Sequence, residues 1–304
     1  MVSRKGRAAA RPFRLPGLCA CAALALLAAG CGSGKDATTP RATTARAAAA
    51  PTLLRAGVVG PLRLDVPGVR VRRGSLGAVA GEQLVLVAAG AATVEAVAAS
   101  ARAHPDSQFA IVGASARAQD LPNLAGIVFE EGKAAYLAGV TAGLAATAAG
   151  GEDPRVAWVG PEDRVLVTAF GRGVRAAAPG VALLHQESLP VPARCKEAAL
   201  TALERDAVVV FARRGLCAAA AAAAAHEQNR PALRLRDFVL PNVAAAAVAR
   251  EAVGGVFHGG EDVVFGPATG AVGVRALDPR ISFSTAAKAR AAAQQLAGGV
   301  AQAG

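Results

Sequence analysis

The chain has 304 residues, 53% hydrophobic and 4% aromatic, with 33 Lys and Arg against 22 Asp and Glu for a formal charge of +11. Length and apolar share suit one large or two modest domains with a real core and exclude a wholly disordered chain. The Arg residues are scattered and no basic run is interleaved with aromatics, so nothing marks a nucleic-acid-binding surface.

Residues 1–17 carry Arg4, Lys5, Arg7, Arg11 and Arg14 without an acid, and the apolar run 18–29 follows. That run has the length of a secretory h-region and is short for a membrane span. It closes on Leu27-Ala28-Ala29-Gly30-Cys31, small residues ahead of a cysteine. This resembles the lipobox of bacterial lipoproteins, with Ala28 where those proteins prefer Leu. The resemblance implies a signal peptide over 1–30 and acylation of Cys31; the alternative is an ordinary signal peptide cleaved near Gly30. Two or more acyl chains anchor stably where one does not. Five positive charges leave with the signal segment, which lowers the formal charge from +11 to +6. Residues 31–52, mostly Ser, Thr, Gly, Ala and Arg, read as a flexible tether. The expected location is the extracytoplasmic face of the cell membrane, lipid-anchored.

From residue 53 short apolar runs alternate with Ala-rich helical stretches. The pattern predicts strands over 56–60, 84–88, 108–112, 126–129, 155–159, 182–187, 207–211 and 233–235. It predicts helices over 93–103, 133–148, 163–177, 195–204, 216–226, 243–253 and 285–296. Such alternation gives parallel sheets with helices on both faces. The turn cluster Gly150-Gly151-Glu152-Asp153-Pro154 divides the series. The natural reading is two parallel-sheet α/β lobes joined by a hinge; one unbroken doubly wound sheet is the alternative. The first lobe is expected over 53–150, completed by about 240–304, and the second over 151–239.

Cys19 and Cys21 lie in the signal segment, which leaves Cys195 and Cys217 beyond the lipid site. Each opens a predicted helix at the same edge of a parallel sheet. In an oxidising compartment this pair reads as a disulfide, with two buried free thiols as the alternative. His104, His185, His226 and His258 have no metal-ligand spacing. No G-x-S-x-G elbow or Walker loop appears, and 195/217 is far from C-x-x-C spacing. No metal, cofactor or enzyme activity is expected.

The segment Asn123-Leu-Ala-Gly-Ile-Val-Phe-Glu-Glu-Gly-Lys-Ala-Ala-Tyr-Leu-Ala-Gly139 resembles a signature of the basic membrane protein (Bmp) family, lipoprotein substrate-binding components of ABC importers, many for nucleosides. Upstream, His104-Pro-Asp-Ser-Gln-Phe-Ala-Ile111 resembles the family's Pro-Asp-x-x-Phe segment. Downstream, Val156-Ala-Trp-Val-Gly160 and Ala169-Phe-Gly-Arg-Gly173 resemble its Val-Gly strand and Gly-Phe-x-x-Gly helix. Segments 194–199 and 206–217 resemble a cysteine-containing branch. Segments 259–265 and 270–274 resemble the closing strands. The resemblance spans about 84–299 and implies a type I periplasmic-binding-protein-like fold, α/β with two lobes that close on a ligand by hinge motion. A small-molecule ligand, nucleoside-like in relatives, and an ABC permease are the implied partners, with the membrane reached through the lipid. An envelope lipoprotein acting as a sensor or interaction module is the alternative function.

In such folds the ligand meets loops at the carboxyl ends of strands. Here those loops are 89–92, 113–115, 130–132, 160–163, 188–194 and 212–216. Gly90, Gly113, Glu130, Gly160 and Asp237 are the ligand-binding candidates. Glu130 and Glu131 also suit solvated charge or a helix-start role, and Asp163 suits a helix start. Trp158, Phe170 and Tyr136 read as packing residues. The family's first loop and long first helix have no counterpart between Gly60 and Leu84. Its Asp after the Phe-Ala-Ile strand corresponds to Gly113, a Phe corresponds to Leu166, and a later Lys has no match over 240–243. Asp237 corresponds to the Asp of a Gly-Val-Asp motif. A ligand other than an ordinary nucleoside, or none, is therefore expected.

Overall fold

The computed structural model describes residues 53–213 and 215–299. The signal segment, Cys31 and the tether expected over 1–52 lie outside the described residues. In chain order the elements are β1 (Leu54–Val59), β2 (Val69–Arg73), α1 (Leu76–Val79), β3 (Leu84–Ala88), α2 (Val94–Ala103), β4 (Gln108–Val112) and β5 (Leu124–Phe129). Next come α3 (Glu131–Ala149), β6 (Arg155–Gly160), α4 (Arg164–Ala177), β7 (Ala182–Glu187), α5 (Pro192–Glu204), β8 (Ala207–Ala212), α6 (Gly215–Glu227) and β9 (Ala232–Arg234). The last are α7 (Pro241–Val253), β10 (Asp262–Phe265) and α8 (Phe283–Ala297). Among the described residues no helix is long and apolar enough to cross a membrane.

The strands form two sheets, one of order β10-β5-β4-β3-β1-β2 and one of order β7-β6-β8-β9. Every pairing between these strands is parallel. This is the two-lobed α/β arrangement, and it excludes a single unbroken sheet. Central strands of parallel sheets are covered on both faces and therefore read as continuous apolar runs. β3, Leu-Val-Leu-Val-Ala, is buried at all five positions.

The connection from β1 to β2 contains no helix. Instead Leu62, Leu64 and Val66 alternate inward while Arg63 and Asp65 face solvent. The three apolar side chains join the core formed by Leu84, Leu86 and the Ala face of α7. An extended segment thus covers the sheet where the family resemblance implies a long helix. β2 pairs with β1 alone, at the edge, and its Arg-rich sequence stays largely exposed.

The chain passes between the lobes three times: from β5 into α3, from β9 into α7, and from β10 towards α8. α3 crosses at once. Ala134, Leu137, Ala138 and Ala142 bury in one core with Trp158, Phe170 and Phe211 of the second lobe. α8 packs on α3, with Ala292, Ala293 and Leu296 against the same core. So α3, expected within the first lobe's 53–150, packs on the second sheet, and α8, expected within 240–304, packs on α3. The reason is α3's small-residue surface, which a neighbouring helix can approach closely. Near the last crossing Asp278, its side chain 3% exposed, ties the chain down. Its Oδ2 lies 2.6 Å from His226 Nε2 and accepts the Ala232 N–H at 3.1 Å; its Oδ1 accepts the Arg280 N–H at 2.9 Å. Burial pushes this carboxyl up, but the Arg280 and Ala232 N–H groups, His226 and the Arg280 guanidinium together hold it below the ordinary carboxylate value.

Among the described residues the contact of α3 with α4 is the most extensive between two helices. A Cβ on Gly139 would fall on the carbonyl oxygen of Phe170, and a Cβ on Gly173 on the carbonyl oxygen of Tyr136. One helix backbone therefore lies directly against the other at both glycines. Behind them Trp158 meets Phe170 edge-on and Phe211 at a tilt, with ring centroids 5.6 and 4.8 Å away. On the far face of the second sheet Cys195 of α5 and Cys217 of α6 form a disulfide with their Cα atoms 5.2 Å apart.

Two outcomes follow for stability. Gly139→Ala and Gly173→Ala should each destabilise by about 1–3 kcal/mol through overpacking, outweighing the helix-propensity gain of up to about 1 kcal/mol. Gly132→Ala in the same α3, where an added Cβ meets nothing within 4 Å, should be neutral or stabilising. Urea unfolding measures all three, and a Gly139→Ala midpoint equal to that of Gly132→Ala contradicts the backbone contact. For the disulfide, the sequence separation of 22 residues corresponds to about 3 kcal/mol in a chain-entropy model. Joint Cys195→Ala and Cys217→Ala substitution should lower unfolding stability by about that amount; an unchanged unfolding midpoint contradicts it.

Candidate functional site

A cavity of about 480 Å³ opens between the lobes. Its first wall is the carboxyl edge of the first sheet. Pro61 and Leu62 follow β1, Ala88 and Ala89 end β3, Val112 and Gly113 end β4, and Phe129 ends β5. Its second wall comes from the passages between lobes: Glu131 at the start of α3, Leu235 and Arg236 in the one-turn helix after β9, Val239, Pro241 at the start of α7, and Arg275 before α8. The volume lies within the range of small-molecule pockets, roughly 300–1,000 Å³.

Local structure explains why these residues meet. Gly113 has φ +102°, a conformation L side chains rarely adopt, and its N–H donates to Ile127 O at 2.8 Å. The chain can therefore turn sharply at the end of β4 and leave the cleft open. The loop after it is held by Asp262 of β10, whose carboxylate accepts from the Ser115 hydroxyl and from the N–H groups of Ala116 and Arg117. On the opposite side Arg213, one residue past β8, bridges two helix starts. Its guanidinium lies 3.0 Å from Glu131 of α3 and 3.0 Å from Asp163 at the start of α4. Asp163 also accepts the Leu166 N–H at 3.1 Å, the helix-start role its position suggested.

Of the five residues expected to bind ligand, Gly113 lines this cavity and the other four do not. Gly90 is exposed, with nothing near its side-chain position. Glu130 lies over Gly266 and pairs with Lys133 at 2.8 Å, so its neighbour Glu131 faces the cleft instead. Gly160 sits in the second lobe, where an added Cβ would lie 3.7 Å from Cys217 Sγ. Asp237 is largely buried and held by Arg234, its carboxylate accepting the Arg234 N–H at 2.9 Å. Trp158 and Phe170 are fully buried core residues, as their strand and helix patterns suggested.

Arg236, Arg275, Val239 and Leu62 are cavity residues that sequence reading did not single out. Arg236 and Arg275 lie on irregular passages between lobes, where no periodicity marks a facing side. Leu62 did carry a signal, the Leu62/Leu64/Val66 alternation. Among the described residues no cluster of three or more His, Cys, Asp or Glu could hold a metal ion.

Residues 80–188 match the model of the Bmp family, described as ABC transporter substrate-binding protein PnrA-like. The matched segment runs from the end of α1 through β7 and includes the cavity residues on β3, β4, β5 and α3. No curated protein matches the sequence. Among solved structures, a solute-binding protein of an ABC transporter system from Conexibacter woesei DSM 14684 is 16% identical. The alignment covers 83% of this chain and 98% of that one, with a TM-score of 0.60. A transcriptional activator of the comK gene from Bacillus halodurans is 13% identical over 81% of this chain and 97% of that one, with a TM-score of 0.57. At such identities the likeness establishes the fold: α/β, type I periplasmic-binding-protein-like.

Proposed function

We propose that this chain, whose residues 80–188 match the Bmp family model, is a lipid-anchored solute-binding protein of an ABC importer. The single observation that carries the reading is the open cavity at the carboxyl edge of the first sheet, closed on its other side by the passages between lobes. That edge is where open α/β sheets take ligands. A crevice crossed by three chain passages is also the geometry that lets two lobes close over a small molecule.

Substrate-binding proteins of ABC importers are extracytoplasmic, and the disulfide between Cys195 and Cys217 suits an oxidising compartment. Cys31, behind its small-residue run, is the proposed acylation site. The polar segment 31–52 then spaces the lobes from the membrane within reach of a permease. Domain limits follow as a proposal from the packing: a first lobe from 53–129 with 241–265, and a second from 131–239 with 283–297.

Cells expressing the full chain, grown with radiolabelled palmitate, test the anchor and partner together. The protein should carry label, remain in the membrane fraction through a high-salt wash, and cross-link to an ABC permease; Cys31→Ser should lose the label and appear in the soluble fraction. A labelled Cys31→Ser variant would contradict the anchor, and cross-linking that recovers no permease would contradict the importer assignment.

A further inference from the structure

The polar groups of the cavity are one-sided. Arg236 and Arg275 both border it with exposed side chains. Among the described residues neither guanidinium has a hydrogen-bond or ion-pair partner. The third charged residue of the lining, Glu131, is already engaged by Arg213 at 3.0 Å. Among the described residues the rest of the lining is apolar or backbone, with Leu62, Val112, Phe129 and Val239 as its larger faces, and includes no hydroxyl, amide or imidazole side chain. In addition, α3 and α7 both begin at the cavity, with Glu131 and Pro241 as their first residues. Helix N-termini carry partial positive charge.

We infer that the cleft takes a small organic anion, a carboxylate on an aliphatic or aromatic body, and not a nucleoside. The inference rests on the solute-binding reading and gives it a ligand class. A guanidinium can only donate, and its planar fork matches a carboxylate in two parallel hydrogen bonds. A neutral solute would leave two charges unmatched as closure expels water, which is costly. A nucleoside fits poorly for two further reasons. Its ribose hydroxyls need acceptors, and the one carboxylate among the described lining residues, Glu131, is engaged by Arg213. Its base needs a pair of flat faces, and Phe129 is the one aromatic residue among the described residues of the lining. The apolar faces instead suit the hydrocarbon part of an acid.

Isothermal titration of the purified full chain in detergent micelles tests this with benzoate, phenylacetate and hexanoate, their neutral amides, and adenosine and inosine. At least one carboxylate should bind saturably, its amide about tenfold or more weakly, a difference of about 1.4 kcal/mol. Arg236→Gln with Arg275→Gln should weaken the carboxylate by at least about tenfold while leaving the urea midpoint unchanged, since both side chains are exposed. An amide or nucleoside bound as tightly as the acid overturns the anion assignment and leaves the solute-binding reading standing. Silence from every carboxylate also overturns it. The solute-binding reading fails as well only if a small-molecule extract of the producing cells gives no binding heat.

Discussion

The backbone contact between α3 and α4 fixes most of what matters in this molecule. Gly139 lies against the Phe170 carbonyl and Gly173 against the Tyr136 carbonyl, so neither helix can shift without a clash. Overpacked cores strain and move, while well-packed ones hold a single arrangement. α3 is also the first chain passage from one lobe to the other. Seating it on α4 therefore sets where its first turn emerges, and that turn brings Glu131 to the cleft and to Arg213. Arg213 in turn reaches Asp163 at the start of α4, so the two helices are joined at their N-termini as well as along their length.

This division of labour bears on how family and ligand relate. The Tyr136-Leu-Ala-Gly139 and Ala169-Phe-Gly-Arg-Gly173 segments, which carry much of the family resemblance, act in packing. Their glycines permit the helix contact, and Phe170 fills the core beside Trp158. Cleft chemistry is set elsewhere, by strand ends such as Gly113 and by the passage residues Arg236 and Arg275. A chain can thus keep the fold-determining segments while its cleft changes character. The extended 62–66 segment in place of a long helix changes the first wall in the same way, bringing Pro61 and Leu62 to the cavity.

Much of the fold was legible in the sequence. β3, β4 and β7 occupy the residues that apolar runs predict, and seven helices appear where Ala-rich periodicity places them. β2 was not legible, because Val69-Arg-Val-Arg-Arg73 is an exposed edge whose two Val residues are its only inward signal. Segment 270–274 resembled a closing strand but contributes one isolated bridge, Val272 to Val239. The candidate site was less legible. Gly113 could be placed because a strand end marks it. Glu130 and Glu131 could not be told apart from sequence, because one residue of rotation at a helix start decides which faces the cleft. Arg236 and Arg275 are brought together only by the threefold passage between lobes, a long-range fact that local pattern does not contain.

The central claim is that a small molecule occupies the cleft between these lobes. Native mass spectrometry of the full chain, isolated under gentle conditions from the cells that make it, tests this most directly. One small molecule retained per chain, released on unfolding and negatively charged at neutral pH, is the predicted result. A spectrum showing only the bare protein mass, unchanged after incubation with the same cells' small-molecule extract, would contradict the account.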